Sequence, residues 1–486
     1  MSAISVPATA SILSLLFAAT TLPAQTDISA ESGMSRVRVV RLSEVRGAVE
    51  MNRGSGFEAA TQNLPVVESS QVQTGLGVAE IEFEDNSTLR LASDTVVEFP
   101  VLERHASGAT VTTVRVLRGM AYVSLTKAPG AGNDFTLLFG PNKQPLPPGS
   151  HIRLQMNATR ASLAVLSGAV AVDGADGPVA VSSKRTITFA FTPDTQPDVA
   201  KGIAPNSLDS WDKQSADYHA HVASMTAFGN APYSYGLNDM SYYGSFMDAS
   251  GCGMMWRPYF ASAAWDPYAN GTWAWYPGAG YSWVSPYPWG WMPYHSGSWS
   301  YCPGAGWGWM PGGAWSGLAN VPAATGRTFG NIGARPHYPR QPAEAPRPGQ
   351  STLVAVNLSP LVASQVSRGS FVFRRDSAGL GIPREGLGSL TGFSHDTLRR
   401  GTATTPIYLT AGPAAGTVRT ENRIAADGLA PVEIHRGSAP PPAWSADAGF
   451  SSPGPPTSQS TTLSAGTTGH IGSIAPAGGS GGGHPH

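Results

Sequence analysis

Hydrophobic and polar residues alternate along most of the first 190 positions. In Val78–Phe83 apolar side chains alternate with Glu80 and Glu82, which is the period-two pattern of a strand with two unlike faces. The pattern recurs in eight further segments: Thr88–Leu91, Thr95–Phe99, Thr110–Leu117, Ala121–Leu125, Phe135–Phe139, Ile152–Met156, Ser162–Leu166 and Val179–Phe191. Because turn-forming residues separate these segments at short intervals, residues 36–191 are predicted to form an all-β sandwich, barrel or solenoid.

The acidic residues of this region follow one face of a predicted strand. Glu82 and Glu84 alternate with apolar residues, so they share the face opposite the hydrophobic one. Half-buried strands usually turn such a face toward water. The pattern therefore predicts a solvated acidic face, and a pair of catalytic carboxylates is the alternative.

Residues 205–226 break the alternation and predict a short linking helix. Asn206 or Ser207 can cap its first turn, and Trp211 falls within it. His219 and His221 are two positions apart, which places them on different helical faces, so this pair does not predict a metal site.

Tryptophan is concentrated in the following segment. Eleven of the 13 tryptophans lie between Trp256 and Trp315. The segment that starts at Trp265-Asp-Pro-Tyr268 recurs at Trp291-Met-Pro-Tyr294, and each copy continues through a Gly, a Trp and a Pro-Gly-Ala-Gly turn. Fixed Gly and Pro positions mark turns and alternating aromatics mark short strands, so residues 239–315 are predicted to form a small module of β-hairpins.

The rings of this module have two interpretations. Because the segment has few aliphatic residues, most of its rings are expected to form the core. Rings beside the repeated glycines are instead candidates to line a ligand groove, namely Tyr268, Trp273, Tyr294 and Trp299. Cys252 and Cys302 are candidates for a disulfide, with two free buried thiols as the alternative.

Composition describes the two ends of the chain. Residues 12–19 are an apolar core followed by Leu22-Pro23-Ala24, which predicts a signal peptide over residues 1–24 and a periplasmic or secreted location. No other stretch is apolar enough to predict a transmembrane span. Residues 316–486 are rich in Ser, Thr, Gly and Pro and predict a mostly disordered tail, in which the more apolar patch Ser351–Phe373 is a candidate for local order against the body or a partner. The net charge of −1 gives no general attraction to nucleic acid.

An ordered series of short motifs spans residues 38–190. It comprises Gly47-Ala-Val49, Thr74-Gly75, Ala79-x-Ile81-x-Phe83-x-Asp85-x-Ser87-x-Leu89-x-Leu91, Leu117-x-Gly119 and Leu163-x-Val165-x-x-Gly168-x-Val170. This region resembles the FecR domain, named for the ferric-citrate regulator. The resemblance implies a β fold and a location in the bacterial envelope.

Residues 205–313 resemble a second, uncharacterised family of Trp-Pro-Tyr repeats that is often found beside FecR-like domains. The opening matches are Trp211-Asp212, Asp239, Tyr243-Gly244 and Gly253-x-x-Trp256-x-Pro258, and the closing ones are Trp289-Gly-Trp291-x-Pro-Tyr294-His295 and Gly306-Trp307-x-Trp309-x-Pro311-Gly312.

These features predict an exported, non-enzymatic binding or scaffold protein of the cell envelope. Its expected partner is an envelope polymer or an envelope protein, and no pattern predicts a catalytic, metal or cofactor site. One alternative is a FecR-type signal-transduction regulator that acts through a membrane partner. Another is a polysaccharide-active enzyme, which needs two carboxylates roughly 5–9.5 Å apart in a cleft.

Overall fold

A computed structural model describes most of the chain between residues 37 and 390. The described residues are 37–127, 132–174, 177–193, 195–220, 233–319, 339–357, 376–382, 384 and 390. The predicted signal peptide and most of the predicted tail lie outside them. Within the described ranges, no helix has the length and apolar character needed to cross a membrane.

The first module consists of strands, as the alternation predicts. Their bounds are β1 Val40–Asn52, β2 Phe57–Ala59, β3 Pro65–Val66, β4 Gln71–Glu82, β5 Thr88–Leu91, β6 Val96–Arg104, β7 Thr110–Ser124, β8 Asp134–Phe139, β9 Asn142–Leu146, β10 His151–Met156, β11 Arg160–Ser167, β12 Ala169–Gly174, β13 Gly177–Ser182, β14 Arg185–Ala190 and β15 Asp198–Lys201. Strand β7 joins two predicted segments, because residues 118–120 continue the extended backbone between them.

Thirteen of these strands form one sheet. Its main path runs β15-β14-β11-β10-β7-β5-β4-β1-β2, with β3, β6, β8 and β9 paired off this path, while β12 and β13 form a separate hairpin. The pairs are antiparallel except β7 with β8. Apolar residues of alternating positions, such as Ile81, Leu89 and Val123, are fully buried and form the core of this module.

Two helices follow the first module, α1 at Asp209–Ala220 and α2 at Leu237–Tyr243. Before α1, the Asn206 side-chain oxygen accepts the Leu208 amide hydrogen, and the Asp209 carboxylate accepts that of Asn206. Helix α1 lies against the outer face of the sheet, where Asp209 binds Arg153 at 2.5 Å and accepts the Tyr122 hydroxyl. The predicted linking helix is therefore also a cover for the sheet.

The second module is a set of hairpins. Its elements are β16 Gly244–Ala249, β17 Gly253–Pro258, β18 Asn270–Tyr276, β19 Gly280–Val284, α3 Met292–His295, β20 Ser298–Cys302 and β21 Gly306–Met310. The predicted repeat is visible in the backbone, because Trp273 faces Trp283 in one hairpin and Trp299 faces Trp309 in the next.

The hairpin β16–β17 is a third copy that the sequence revealed only in part. In each hairpin a tryptophan ring lies against a glycine at the same sequence spacing, Trp256 on Gly244, Trp283 on Gly271 and Trp309 on Gly297. Only Trp256-Arg-Pro-Tyr259 of this copy resembles the repeat in sequence, because its strands carry methionine and aspartate where the other copies carry aromatic residues.

Two segments of the predicted disordered tail are ordered against the body. Strand β22, Leu353–Asn357, pairs antiparallel with β18. Further along, Ala378, Leu380 and Ile382 are buried. Strand β22 lies in the apolar patch Ser351–Phe373, which was the candidate for local order, whereas the order at 378–382 was not predicted. A few apolar side chains placed against an existing core are enough to order a polar stretch.

Candidate functional site

The acidic face of β4 is dry, which corrects the prediction of a solvated face. Glu80 and Glu82 are 0% exposed, and Glu84 is 9% exposed. Helices α1 and α2 and residues from the C-terminal segment cover this face. The sequence pattern could not show the cover, because it comes from parts of the chain more than 100 residues away.

The face is neutralised by a cluster of buried ion pairs that join the sheet to helices α1 and α2 and to Arg384. We call this cluster the junction network, and its members are Arg41, Glu80, Glu82, Arg90, Asp212, His219, Asp239 and Arg384. It has four acidic and four basic side chains, so its charges balance when His219 is protonated.

Glu80 is the centre of the junction network. Its carboxylate lies 2.9 Å from the Arg90 guanidinium, 2.8 Å from His219 Nε2 and 2.7 Å from Arg384 Nη1. The Ser43 hydroxyl also donates to it, at 2.7 Å. Each oxygen of this buried carboxylate is therefore paired, as a charge in a low-dielectric interior requires.

Asp239 of α2 is the second centre. It lies 2.7 Å from Arg41 and 3.0 Å from Arg384, and it accepts the Tyr218 hydroxyl at 2.7 Å. Arg41 also binds Glu82 at 3.0 Å, so one arginine of β1 connects the sheet to the helix. At the other end of the network, Arg90 binds Asp212 of α1 at 2.8 Å.

The pKa values at the site show which charges the network favours. Burial raises the pKa of Glu80, but His219, Arg384 and Arg90 outweigh burial and hold this pKa well below its ordinary value. For Asp239 burial is likewise outweighed by Arg384 and Arg41, and the pKa is lowered. Burial lowers the pKa of His219, but Glu80 and Glu82 reverse the effect and raise it to about 9. Glu80, Asp239 and His219 are therefore all favoured in their charged forms.

Backbone carbonyls of the second module add to the junction. The Asn63 amide donates to the Ser285 and Tyr287 carbonyls at 3.0 and 2.7 Å. The Tyr276 hydroxyl donates to the Pro65 carbonyl at 2.6 Å. These bonds satisfy polar groups that a dry contact between the modules would otherwise leave unpaired.

The four predicted ligand-contact rings are not available to a ligand. Tyr268, Trp273, Tyr294 and Trp299 are all at most 5% exposed. Tyr268 and Tyr294 pack edge to face with 5.6 Å between ring centroids, and Trp299 packs on Tyr294 at 5.7 Å. This correction has a simple cause, since a module with few aliphatic residues must use its rings as core.

Two aromatic residues near the hairpin turns are partly exposed instead. Trp275 and Tyr301 occupy equivalent positions in the two copies. Each lies two residues before the proline of the repeated Pro-Gly-Ala-Gly turn. Trp275 packs on Tyr281 and Tyr301 packs on Trp307, with centroids 5.0 and 5.5 Å apart. Their position next to the turn is the sequence feature that could have predicted this exposure, since hairpin tips are harder to cover than hairpin bases.

The two cysteines are joined by a disulfide. Cys252 lies in the turn of the β16–β17 hairpin, and Cys302 is the last residue of β20. The bond therefore fastens the first hairpin of the module to the third.

The junction network has the chemistry of a structural ion-pair cluster. Its central carboxylates are ionised, paired and closed off from solvent, so they are neither proton donors nor open ligands. Within the part of the chain that the structure describes, no group of three or more His, Cys, Asp or Glu side chains could hold a metal ion.

Comparison with known proteins gives few matches. The model of a family of unknown function (DUF6600) matches residues 237–341, which include the hairpin module. No curated protein matches the chain. Two similar solved structures are crystal structures of a "putative anti-sigma factor" from Parabacteroides distasonis ATCC 8503.

Both structural similarities are distant. One has 14% identity and a TM-score of 0.23, covering 28% of this chain and 60% of that one. The other has 13% identity and a TM-score of 0.24, covering 29% of this chain and 63% of that one. The chain thus spans less than two thirds of the length of either structure.

Proposed function

We propose that this chain is an exported, non-enzymatic scaffold and binding protein of the bacterial cell envelope, with a FecR-like first module. The observation that carries the proposal is the junction network. It uses the buried charges of the sheet to fasten helices α1 and α2 and Arg384 to that sheet, so the most strongly polar part of the interior serves rigidity instead of catalysis.

The disulfide and the N-terminal sequence support an exported location. Disulfides persist in the periplasm and outside the cell and are rare in the reducing cytosol. The apolar core at residues 12–19 is typical of export signals. Both features favour an oxidising compartment.

The partly exposed rings favour a binding role for the hairpin tips. Trp275 and Tyr301 combine an apolar ring with partial exposure, a combination that is common where proteins contact polymers and other proteins. We propose that a polymer or protein of the envelope contacts these tips.

Fractionation of intact cells tests the location. The protein should appear in the periplasmic or secreted fraction, with Cys252 and Cys302 protected from an alkylating reagent until a reductant is added. A cytosolic protein with freely alkylated cysteines would contradict the proposal.

Co-sedimentation with purified peptidoglycan, together with cross-linking to envelope proteins in cells, tests the contact. Trp275→Ala and Tyr301→Ala should each weaken the contact several-fold, while the exposed Val179→Ala, in the first module, serves as the control. If all three variants contact the envelope partner equally well, the hairpin tips are not the contact surface.

A further inference from the structure

A short segment of the C-terminal region crosses the junction of the two modules. It consists of residues 376–382 together with Arg384, and we call it the strap. The Asp376 carboxylate accepts the Ser262 amide hydrogen at 2.6 Å, and the Ala378 backbone pairs with Phe260 at 3.1 Å. The strap is thus held from its first residue onward by main-chain groups of the hairpin module.

The middle of the strap fits an aromatic surface. The Trp289 indole donates to the Ala378 carbonyl at 2.6 Å, and the Tyr243 hydroxyl donates to the Ile382 carbonyl at 2.5 Å. Gly379 has a φ of +88°, and a Cβ at this position would lie 2.7 Å from the Tyr243 ring. Only glycine combines this backbone conformation with so close an approach.

Arg384 ends the strap in a site built for a guanidinium group. Its nitrogens lie 2.7 Å from the Glu80 carboxylate and 3.0 Å from that of Asp239. They also donate to the Ser43 carbonyl at 3.0 Å, and the guanidinium carbon lies 5.0 Å from the centre of the Tyr218 ring. Two carboxylates, a carbonyl and a ring face together match the donors and the flat shape of arginine.

The two carboxylates of this site also have partners outside the strap. Glu80 remains bound to Arg90 and His219. Asp239 remains bound to Arg41 and to the Tyr218 hydroxyl. Departure of Arg384 would leave the junction network with one excess negative charge, which attracts a guanidinium group back to the site.

We propose that the groove beneath the strap is a peptide-binding site for an extended segment that places an arginine between Glu80 and Asp239, and that the strap is its intramolecular ligand. The strap binds reversibly, so the same peptide supplied in solution enters the groove whenever the attached copy is weakened. The proposal goes beyond the scaffold role and holds whatever the envelope partner is.

Binding of a labelled peptide to the full-length protein tests this proposal. The probe is a C-terminally amidated peptide with the sequence of residues 376–384, and fluorescence anisotropy reports its binding. Wild-type protein should bind it at least about tenfold more weakly than the variant Arg384→Ala, because the attached strap competes at a high effective concentration.

Two controls match this variant. A peptide with alanine in place of its terminal arginine should not bind Arg384→Ala. The variant Arg347→Ala removes an arginine whose side chain is 77% exposed and should behave as wild type. A second variant, Gly379→Ala, displaces the strap through the Tyr243 ring without changing any charge, and should also bind the peptide.

The outcomes separate as follows. Binding of the arginine peptide, but not of the alanine peptide, by either strap variant supports the proposal. Folded variants that bind neither peptide would overturn it. If both variants fail to fold, as judged by circular dichroism, the strap is an integral part of the fold, and the proposal of a reversible ligand is wrong.

Discussion

A histidine between two glutamates links the junction network to pH. His219 Nε2 lies 2.8 Å from Glu80 and Nδ1 lies 3.4 Å from Glu82, and the Asn238 amide lies 3.0 Å from Nδ1. The Tyr218 ring packs edge to face on the imidazole. The two carboxylates thus favour a positive His219, whereas burial and the Asn238 amide nitrogen, itself a donor, oppose it.

The raised pKa of His219 predicts a loss of stability in mildly alkaline solution. The folded-state pKa of about 9 lies above the ordinary 6.5, so the contribution of His219 is complete below pH 6.5 and is lost as pH rises through 9. Urea unfolding at several pH values between 6 and 9.5 measures the loss, which should be on the order of 3 kcal/mol.

The variant His219→Gln should be less stable than wild type at pH 6.5 and should lack this alkaline decline. His105→Gln serves as the control, since His105 is exposed. A decline of equal size in wild type and His219→Gln would show that another group causes it.

At the scale of elements, the repeated unit is a hairpin closed by a tryptophan on a glycine. An added Cβ at Gly271 would lie 2.1 Å from the Trp283 ring, and one at Gly244 would lie 2.3 Å from the Trp256 ring. Trp256 and Trp309 also donate their indole hydrogens to the Met240 and Ser296 carbonyls, at 3.1 and 2.8 Å. The glycine therefore leaves the room that lets each indole fill the base of its hairpin.

Gly271→Ala is expected to destabilise the protein by roughly 1–3 kcal/mol or more, because a methyl group cannot share the space of the Trp283 ring. Thermal unfolding followed by near-ultraviolet circular dichroism measures both the stability and the packing of the rings. Gly132→Ala, where a Cβ would meet nothing within 4 Å, is the matched control. Equal stability of the two variants would contradict this account of the repeat.

At the scale of the whole described body, two devices hold distant parts of the chain together. The junction network binds the sheet to α1, α2 and the strap, while the Cys252–Cys302 disulfide closes a loop of the hairpin module. Loss of one partner of a buried ion pair leaves an uncompensated charge and is strongly destabilising, whereas a disulfide acts largely by restricting the unfolded chain. The two devices therefore stabilise the fold by separate routes.

The double variant Cys252→Ser/Cys302→Ser is expected to lose about 2–4 kcal/mol of unfolding free energy, as is usual for a loop of this size. Urea unfolding with and without a reductant provides the measurement. Reductant should lower the stability of wild type to that of the double variant and leave the double variant unchanged. Wild-type stability that does not respond to a reductant able to open the bond would count against this role.

The sequence alone determined the class of structure in the first module and the two matching hairpins of the second. The all-β character and the recurrence of the hairpins both follow from local periodicity, because a strand sorts its side chains by alternation wherever it is placed. Residues 36–191 and the copies beginning at Trp265 and Trp291 were predictable for this reason.

Only the tertiary structure decided which faces meet. Glu80 and Glu82 follow the pattern of a solvated strand face. They are nevertheless buried, because α1, α2 and Arg384, from far along the chain, pack over them. Trp273 and Trp299 had the features of binding rings, yet they are core. Alternation shows that a strand has two unlike faces, but whether water or another part of the chain covers the polar one depends on contacts between distant residues, which no local pattern contains.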